Sequence, residues 1–313
     1  MKTKIFQSSK KPEIGSQEWF KKRAIEVIEF SKEGEYWDYS DSLITYSPQV
    51  IKEYQRAQEI YKKYGEIVTN EEHKFIKSIS HDVINELPSE FIYIDLGPGT
   101  EHKEKYFFDE IKQQGKDIIY RPVDINKMML KEAISFAESE GFIVNPIHDS
   151  FDKVYKYVQG ENRYKFISLG LTFINYKIED ISSILKRIVS SNGSTFITAQ
   201  IRERIDIETV KQAYAEIGGF SKKLFDIKMS LVGVSPSDYI YEVDDRIRAW
   251  CTIKNPSDLL ISKGVKPGDR FLLFRSIRYS ENELRELLKK EFDVKYFDKK
   301  DNSFIGCLLR NRL

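Results

Sequence analysis

The sequence is poor in the residues that hold metals and cross-links: its 313 residues include two cysteines and four histidines. Cys251 and Cys307 lie far apart in the chain. No Cys/His spacing suits a structural zinc site, and so little cysteine fits a reducing compartment. Long apolar runs are missing too. None approaches the ~18 residues needed to cross a bilayer, and the opening MKTKIFQSSKKPE lacks the apolar core of a signal peptide. We therefore expect a cytoplasmic protein with no membrane partner. Nor is one sign of charge in excess: 50 Lys and Arg face 49 Asp and Glu, a net charge of +1, so the balance gives no support to a nucleic-acid partner. The basic clusters SKK, LKK and DKK are interleaved with acids and read as solvated faces.

What is present is an ordinary globular composition, 41% apolar and 32% charged, long enough for one large domain or two modest ones. Apolar strand signals alternate with helical ones. FIYIDLG (91–97), DIIYRPVDI (117–125), FIVNPIHDS (142–150), KFISLGLTFIN (165–175) and STFITAQI (194–201) read as five strands. EKYFFDEIKQQG, INKMMLKEAISFAESEG and KIEDISSILKRIVSSNG between them carry helical spacing and terminal glycines. This α/β pattern predicts a parallel, doubly wound, Rossmann-like sheet. YSENELRELLKKEF begins with a capping-box pattern, Ser280 and Glu283. DVKYFDKKDNSFIGCLLRN then reads as an antiparallel hairpin, and a parallel sheet closed that way resembles class I S-adenosylmethionine (SAM) methyltransferases.

Two stretches fall outside this sheet: the tyrosine-rich, mainly helical first ~65 residues, and about 75 residues before the last helix, too long for a loop. We expect them to form a second α+β lobe that binds substrate. The expected division is 68–200 with 278–313 for the methyltransferase domain, and 1–67 with 201–277 for the lobe.

Ligands of open α/β sheets lie beyond the carboxyl ends of the strands. Gly97 and Gly99 let a ligand approach the backbone closely, although a tight turn without a ligand would use the same glycines. Asp124 closes the second strand, where a carboxylate accepts both ribose hydroxyls or caps a helix. Asp149, with Ser150 and Phe151, closes the third and would take an adenine amine while the ring packs on the base; a surface turn is the alternative. Asn175 ends the fourth, where a sulfonium methyl would point. The glycine pattern of dinucleotide enzymes breaks at Thr100-Glu101, so a nucleoside without pyrophosphate fits better. That points to SAM.

The chain resembles the ergothioneine-pathway histidine Nα-methyltransferases, a family of histidine-specific SAM-dependent enzymes. The likeness runs from about Thr69 to the end. It is carried by Asp95-Leu96-Gly97-Pro98-Gly99-Thr100 with Lys103, by Pro122-Val123-Asp124, by Leu169-Gly170 with Asn175, and by Ala213-Tyr214. It implies SAM contacts at Gly97, Lys103, Asp124 and Asp149. It implies that Asn175 and Tyr214, the candidate catalytic pair, hold the acceptor's carboxylate and amino group, and that Ser276 lines its side-chain pocket. Two positions depart from the pattern. The imidazole-pairing glutamate falls at Phe274, and the paired tyrosines before the Thr-x-x-Glu segment have Tyr64 as their nearest ring. A phenyl ring cannot accept a hydrogen bond from imidazole, and loss of one buried polar partner costs much discrimination. The expected function is thus N-methylation of a small amino acid or related amine other than histidine. True histidine Nα-methylation and a non-catalytic SAM-binding protein are the alternatives.

Overall fold

The computed structural model describes residues 12–45, 47, 50, 65–99, 101–215 and 220–312. Its strands run in chain order β1 (Glu29–Ser31), β2 (Tyr36–Asp38), β3 (Glu90–Leu96), β4 (Asp117–Val123), β5 (Ile143–Val144), β6 (Tyr164–Gly170), β7 (Gly193–Gln200), β8 (Tyr239–Val243), β9 (Arg248–Ile253), β10 (Arg270–Arg275), β11 (Phe292–Asp298) and β12 (Phe304–Asn311). They form two sheets. The larger has seven strands in the order β11-β12-β7-β6-β3-β4-β5, the smaller five in the order β1-β2-β10-β9-β8.

In the larger sheet β3 pairs in parallel with both β4 and β6, and β6 with β7. The terminal hairpin β11–β12 is antiparallel and joins the sheet through β12 against β7. From β3 the chain winds outward through β4 and β5, then returns to the other side of β3 for β6. The strand order therefore reverses between β3 and β6, and open α/β sheets bind ligands in the crevice at that reversal. Helices cover both faces, so β3 reads as a near-continuous apolar run: all of its residues after Glu90 are buried. The helix Ile178–Val189 shows how the cover is made. Ile181, Leu185 and Ile188 face the sheet, with acids in its first turn and Lys186 and Arg187 in its last, matching the helix dipole.

Several expectations need correction. FIVNPIHDS is not a full strand: β5 is two residues long, followed by a single bridge from Ile147 to Val123. Pro146 has no N–H to give the ladder, so pairing lapses and Asp149 lies in the loop beyond. β6 stops at Gly170, and Leu171–Asn175 is a 3-10 turn, so Asn175 closes a turn and not a strand. Ser280 caps its helix by accepting from Glu283 N (3.1 Å), but the Glu283 carboxylate pairs with Arg246 instead of returning to the cap. The described part of the first 65 residues carries the helices Gln17–Glu26 and Ser42–Thr45 and, between them, the β1–β2 hairpin, which a mainly helical reading leaves out.

The smaller sheet draws its strands from residues 29–38 and 239–275. β2 runs parallel to β10, while β9 is antiparallel to both β10 and β8. Its core contains Tyr214, Phe225, Met229, Cys251, Phe271 and Phe274. Where β10 ends, Ile277 N donates to Ile174 O (3.2 Å), tying the smaller sheet to the turn that carries Asn175. Lys177 reaches across to Asp38 (3.0 Å), and the same carboxylate takes Arg275 (2.6 Å). Burial would raise the pKa of Asp38, but Arg275 and Ser40 hold it well below the usual carboxylate range. Among the described residues no helix is long and apolar enough to cross a membrane.

Candidate active site

A cavity lies at the reversal between β3 and β6, with the smaller sheet over it. The loop after β3 supplies Gly97, Pro98, Gly99, Glu101 and Lys103, and the end of β4 supplies Asp124. Phe151, Leu171, Thr172, Asn175 and Tyr176 follow from the same sheet. From the other side come Leu43, Thr45, Tyr214, Leu224, Phe225, Phe274 and Ser276.

The loop after β3 stays open to the cavity because of its glycines. Gly97 and Gly99 both have φ of +71°, in the left-handed region that side chains resist. A Cβ on Gly97 would also come within 3.3 Å of the Phe151 ring. Asp124 receives hydrogen bonds from the backbone N–H groups of Asn126 (2.7 Å) and Ile125, yet burial outweighs them and pushes its pKa up to about 7. Asp95, deeper in β3, takes the Tyr120 hydroxyl (2.9 Å); burial and the nearby Glu104 push its pKa up to about 8.

Glu72, the acid of the Thr-x-x-Glu segment, is a site residue that sequence reasoning did not single out. It is 1% exposed. One of its oxygens accepts from the Thr198 hydroxyl and from Leu171 N (3.1 Å), the other from Lys103 Nζ (2.8 Å). Glu101 also reaches Lys103, at 3.4 Å. Burial lowers the pKa of Lys103, but Glu72 and Glu101 outweigh it and hold the amine protonated. One carboxylate thus joins the helix Asn70–Asn85, the glycine loop, β7 and the turn after β6. A signal was available: Glu72 lies on the same helical stripe as the buried Phe75, Ile76 and Ile79, and an acid on an apolar stripe is an anomaly.

The opposite wall is built from rings and hydroxyls. Tyr214 and Phe274 stack with ring centroids 6.4 Å apart, and Phe225 lies 5.8 Å from Phe274. The Tyr214 hydroxyl is 3.2 Å from Ser276 Oγ. Ser276 Oγ and its carbonyl both accept from Arg278 Nη1, at 2.9 and 2.7 Å. Behind this wall Lys228 is fully buried and donates to the carbonyls of Asp41 (3.1 Å) and Leu273 (2.9 Å); burial lowers its pKa to about 7.

The structure therefore brings Gly97, Gly99, Lys103, Asp124, Phe151, Asn175, Tyr214, Phe274 and Ser276 to one cavity. Asp149 and Ser150 do not line it. Asp149 accepts from Ser150 N (2.8 Å) and from the Tyr157 hydroxyl (2.8 Å), and the Ser150 hydroxyl turns to Asp152 (2.5 Å). Tyr64 lies outside the described residues.

The donor set fits a nucleoside carrying a cationic tail. The Asp124 carboxylate engages backbone N–H groups and no side-chain donor of a described residue, which suits a pair of ribose hydroxyls. Glu72, Lys103 and Glu101 together carry one net negative charge, opposite to the net charge of a sulfonium amino acid. Phe151 offers a ring beside the glycine loop.

The sequence model of a family described as "Histidine-specific methyltransferase, SAM-dependent" matches residues 57–229, more than half of the chain. No curated relative matches. Among solved structures the chain is similar to a SAM-dependent methyltransferase from Clostridium acetobutylicum, with 14% identity over 81% of this chain and 98% of that one at a TM-score of 0.42. It is also similar to a protein from Pyrococcus horikoshii, at 13% identity over 76% of this chain and 89% of the other, TM-score 0.45. Likenesses this distant decide nothing about activity.

Proposed function

Because the chain belongs to the histidine-specific SAM-dependent methyltransferase family and is a SAM-dependent methyltransferase with that class's sheet, we propose that it methylates the amino group of a small amino acid or related amine whose side chain is apolar. On this reading residues 68–200 and 278–313 bind SAM, and 1–67 with 201–277 bind the acceptor. Gly97, Gly99, Asp124 and Phe151 would hold the adenosine portion. Lys103, fixed by Glu72 and Glu101, would face the methionine carboxylate. SAM, when bound, supplies the methyl group as an electrophile.

The rest of the chemistry belongs to positioning. Transfer to nitrogen is an in-line displacement that gains most from alignment and partial exclusion of water. An α-amino group titrates near ~8, so its free base is within reach at neutral pH. Asn175, whose side chain takes no hydrogen bond from another described residue, and Tyr214 would orient that nitrogen.

The observation that carries the choice of acceptor is Phe274. It stacks on Tyr214 and packs by Phe225, so the position the resemblance assigns to an imidazole-pairing acid is a hydrophobic wall. A panel of amino acids and amines assayed for S-adenosylhomocysteine release tests the reading. Apolar and aromatic amino acids should turn over and histidine should trail them. Histidine as acceptor is the second reading, favoured by the family's description. Preferential turnover of histidine by the unaltered chain would establish it and overturn the first. In F274E the ratio of histidine to phenylalanine turnover should rise at least roughly ten-fold.

A further inference from the structure

Arg278 is fully buried, directly behind the Ser276 that lines the cavity. Its Nε donates to Gln200 Oε1 (2.8 Å) and its Nη1 to Ser276, while Nη2 is buried without a partner. None of these acceptors is charged, and among the described residues no carboxylate pairs with it. Its neighbours differ: Arg275 pairs with Asp38, Arg204 with Glu281 and Asp298, and Arg246 with Glu283. Guanidinium stays ionised in proteins. A whole positive charge is thus held away from bulk solvent and, among the described residues, without a carboxylate partner, a costly state unless an anion completes it.

The path from that charge to the cavity is short. Arginine only donates, so Ser276 Oγ receives an N–H from behind, and this polarises its own hydroxyl. That hydroxyl lies 3.2 Å from the Tyr214 hydroxyl. Among the described residues the adjoining wall of Leu224, Phe225 and Phe274 is apolar and offers little to screen the field. We propose that Arg278 is a positioning and specificity residue. Its charge, relayed through Ser276 and Tyr214, makes this end of the cavity select an acceptor that bears a carboxylate. The inference rests on the function proposed above and sharpens it: the acceptor is an α-amino acid and not a simple amine.

Calorimetric titration of the chain loaded with S-adenosylhomocysteine tests this with three probes: L-phenylalanine, 3-phenylpropionate and 2-phenylethylamine. Both carboxylates should bind at least roughly ten-fold tighter than the amine, the scale of one hydrogen bond to a charged group. R278Q should abolish the preference, R278K should retain part of it, and affinity for S-adenosylhomocysteine should stay within about two-fold in both. If R278Q does not fold, S276A cuts the same path at the hydroxyl: loss of preference in S276A with retention in R278K upholds the role, and the reverse overturns it. Unaltered protein that binds neither carboxylate, or binds the amine as tightly, overturns it too, as does a preference that survives R278Q. Turnover separates this from the parent reading. Carboxylate binding that depends on Arg278, with no methyl transfer to any amine, would uphold Arg278 and sink the transferase reading. Equal transfer to 2-phenylethylamine and L-phenylalanine would do the opposite.

Discussion

At the end of the cavity assigned to SAM, Gly97, Gly99 and Asp124 sit on the loops that leave adjacent parallel strands, and backbone geometry does most of the shaping. At the other end, Thr45, Tyr214, Phe225, Phe274 and Ser276 come from segments far apart in the chain, and side-chain packing does the shaping. The first end holds Asp124, whose pKa burial raises to about 7, beside the Lys103–Glu72–Glu101 cluster. The second is apolar, with its cations, Lys228 and Arg278, buried behind the wall. On the proposed assignment, the donor's site would be set by where the strands stop, whereas the acceptor's would depend on how the smaller sheet packs. Perturbations should therefore separate.

Glu72, which ties the glycine loop to β7 and to the turn that carries Asn175, should show the largest effect. Glu72→Ala leaves Lys103 with Glu101 alone and strips Thr198 and Leu171 of their acceptor. Loss of one partner of a buried pair costs about 3–5 kcal/mol, so denaturant unfolding should show a drop of that order, with both ligand sites weakened together. A variant with stability near that of the parent and one site untouched would show that Glu72 joins nothing. Asp124→Ala should be selective. Removing a carboxylate that accepts two hydroxyls should weaken S-adenosylhomocysteine roughly 30-fold, about 2 kcal/mol, and leave the stacked rings of the opposite wall undisturbed. Tyr214→Phe should do the converse. Acceptor KM or turnover should worsen by roughly ten-fold while SAM affinity by calorimetry hardly moves; equal loss of both would contradict the assignment.

The smallest expected effect concerns pH. Asp124 is raised from 3.8 to about 7 in the folded protein, so between those values the folded state binds more protons than the unfolded one. The corresponding stability of the ligand-free chain is full below about 3.8 and is lost as pH rises through about 7. Binding of ribose hydroxyls uses the ionised carboxylate, so SAM affinity should fall a few-fold as pH drops through about 7. Asp124→Asn should flatten that affinity profile. A profile equally steep in the variant would locate the titration elsewhere.

The same contrast explains what could be read in advance. The strand ends of the donor site are local signals, an apolar run broken by glycine or an acid, and Gly97, Gly99 and Asp124 were read from a few residues each. The apolar run before Asp149 overstates its strand, because Pro146 interrupts the ladder. Asn175 reads as a strand end because its 3-10 turn is as apolar as β6. The acceptor wall has no local signature. Tyr214, Phe274 and Ser276 were named only through family resemblance, and Phe225 and Leu224 on the helix Phe220–Ser230 went unseen. Arg278 follows Phe274 and Ser276 at alternate positions, a spacing that marks one side of an extended segment, yet a lone arginine reads as surface until its burial is known.

The central claim is that the cavity delivers a methyl group to the amino nitrogen of an apolar amino acid. Incubation of the chain with methyl-labelled SAM and an equimolar mixture of amino acids, followed by tandem mass spectrometry of the products, addresses it directly. The label is expected on the α-nitrogen of an apolar or aromatic amino acid, with histidine labelled less. Label confined to histidine, or found on no amino acid at all, would contradict it.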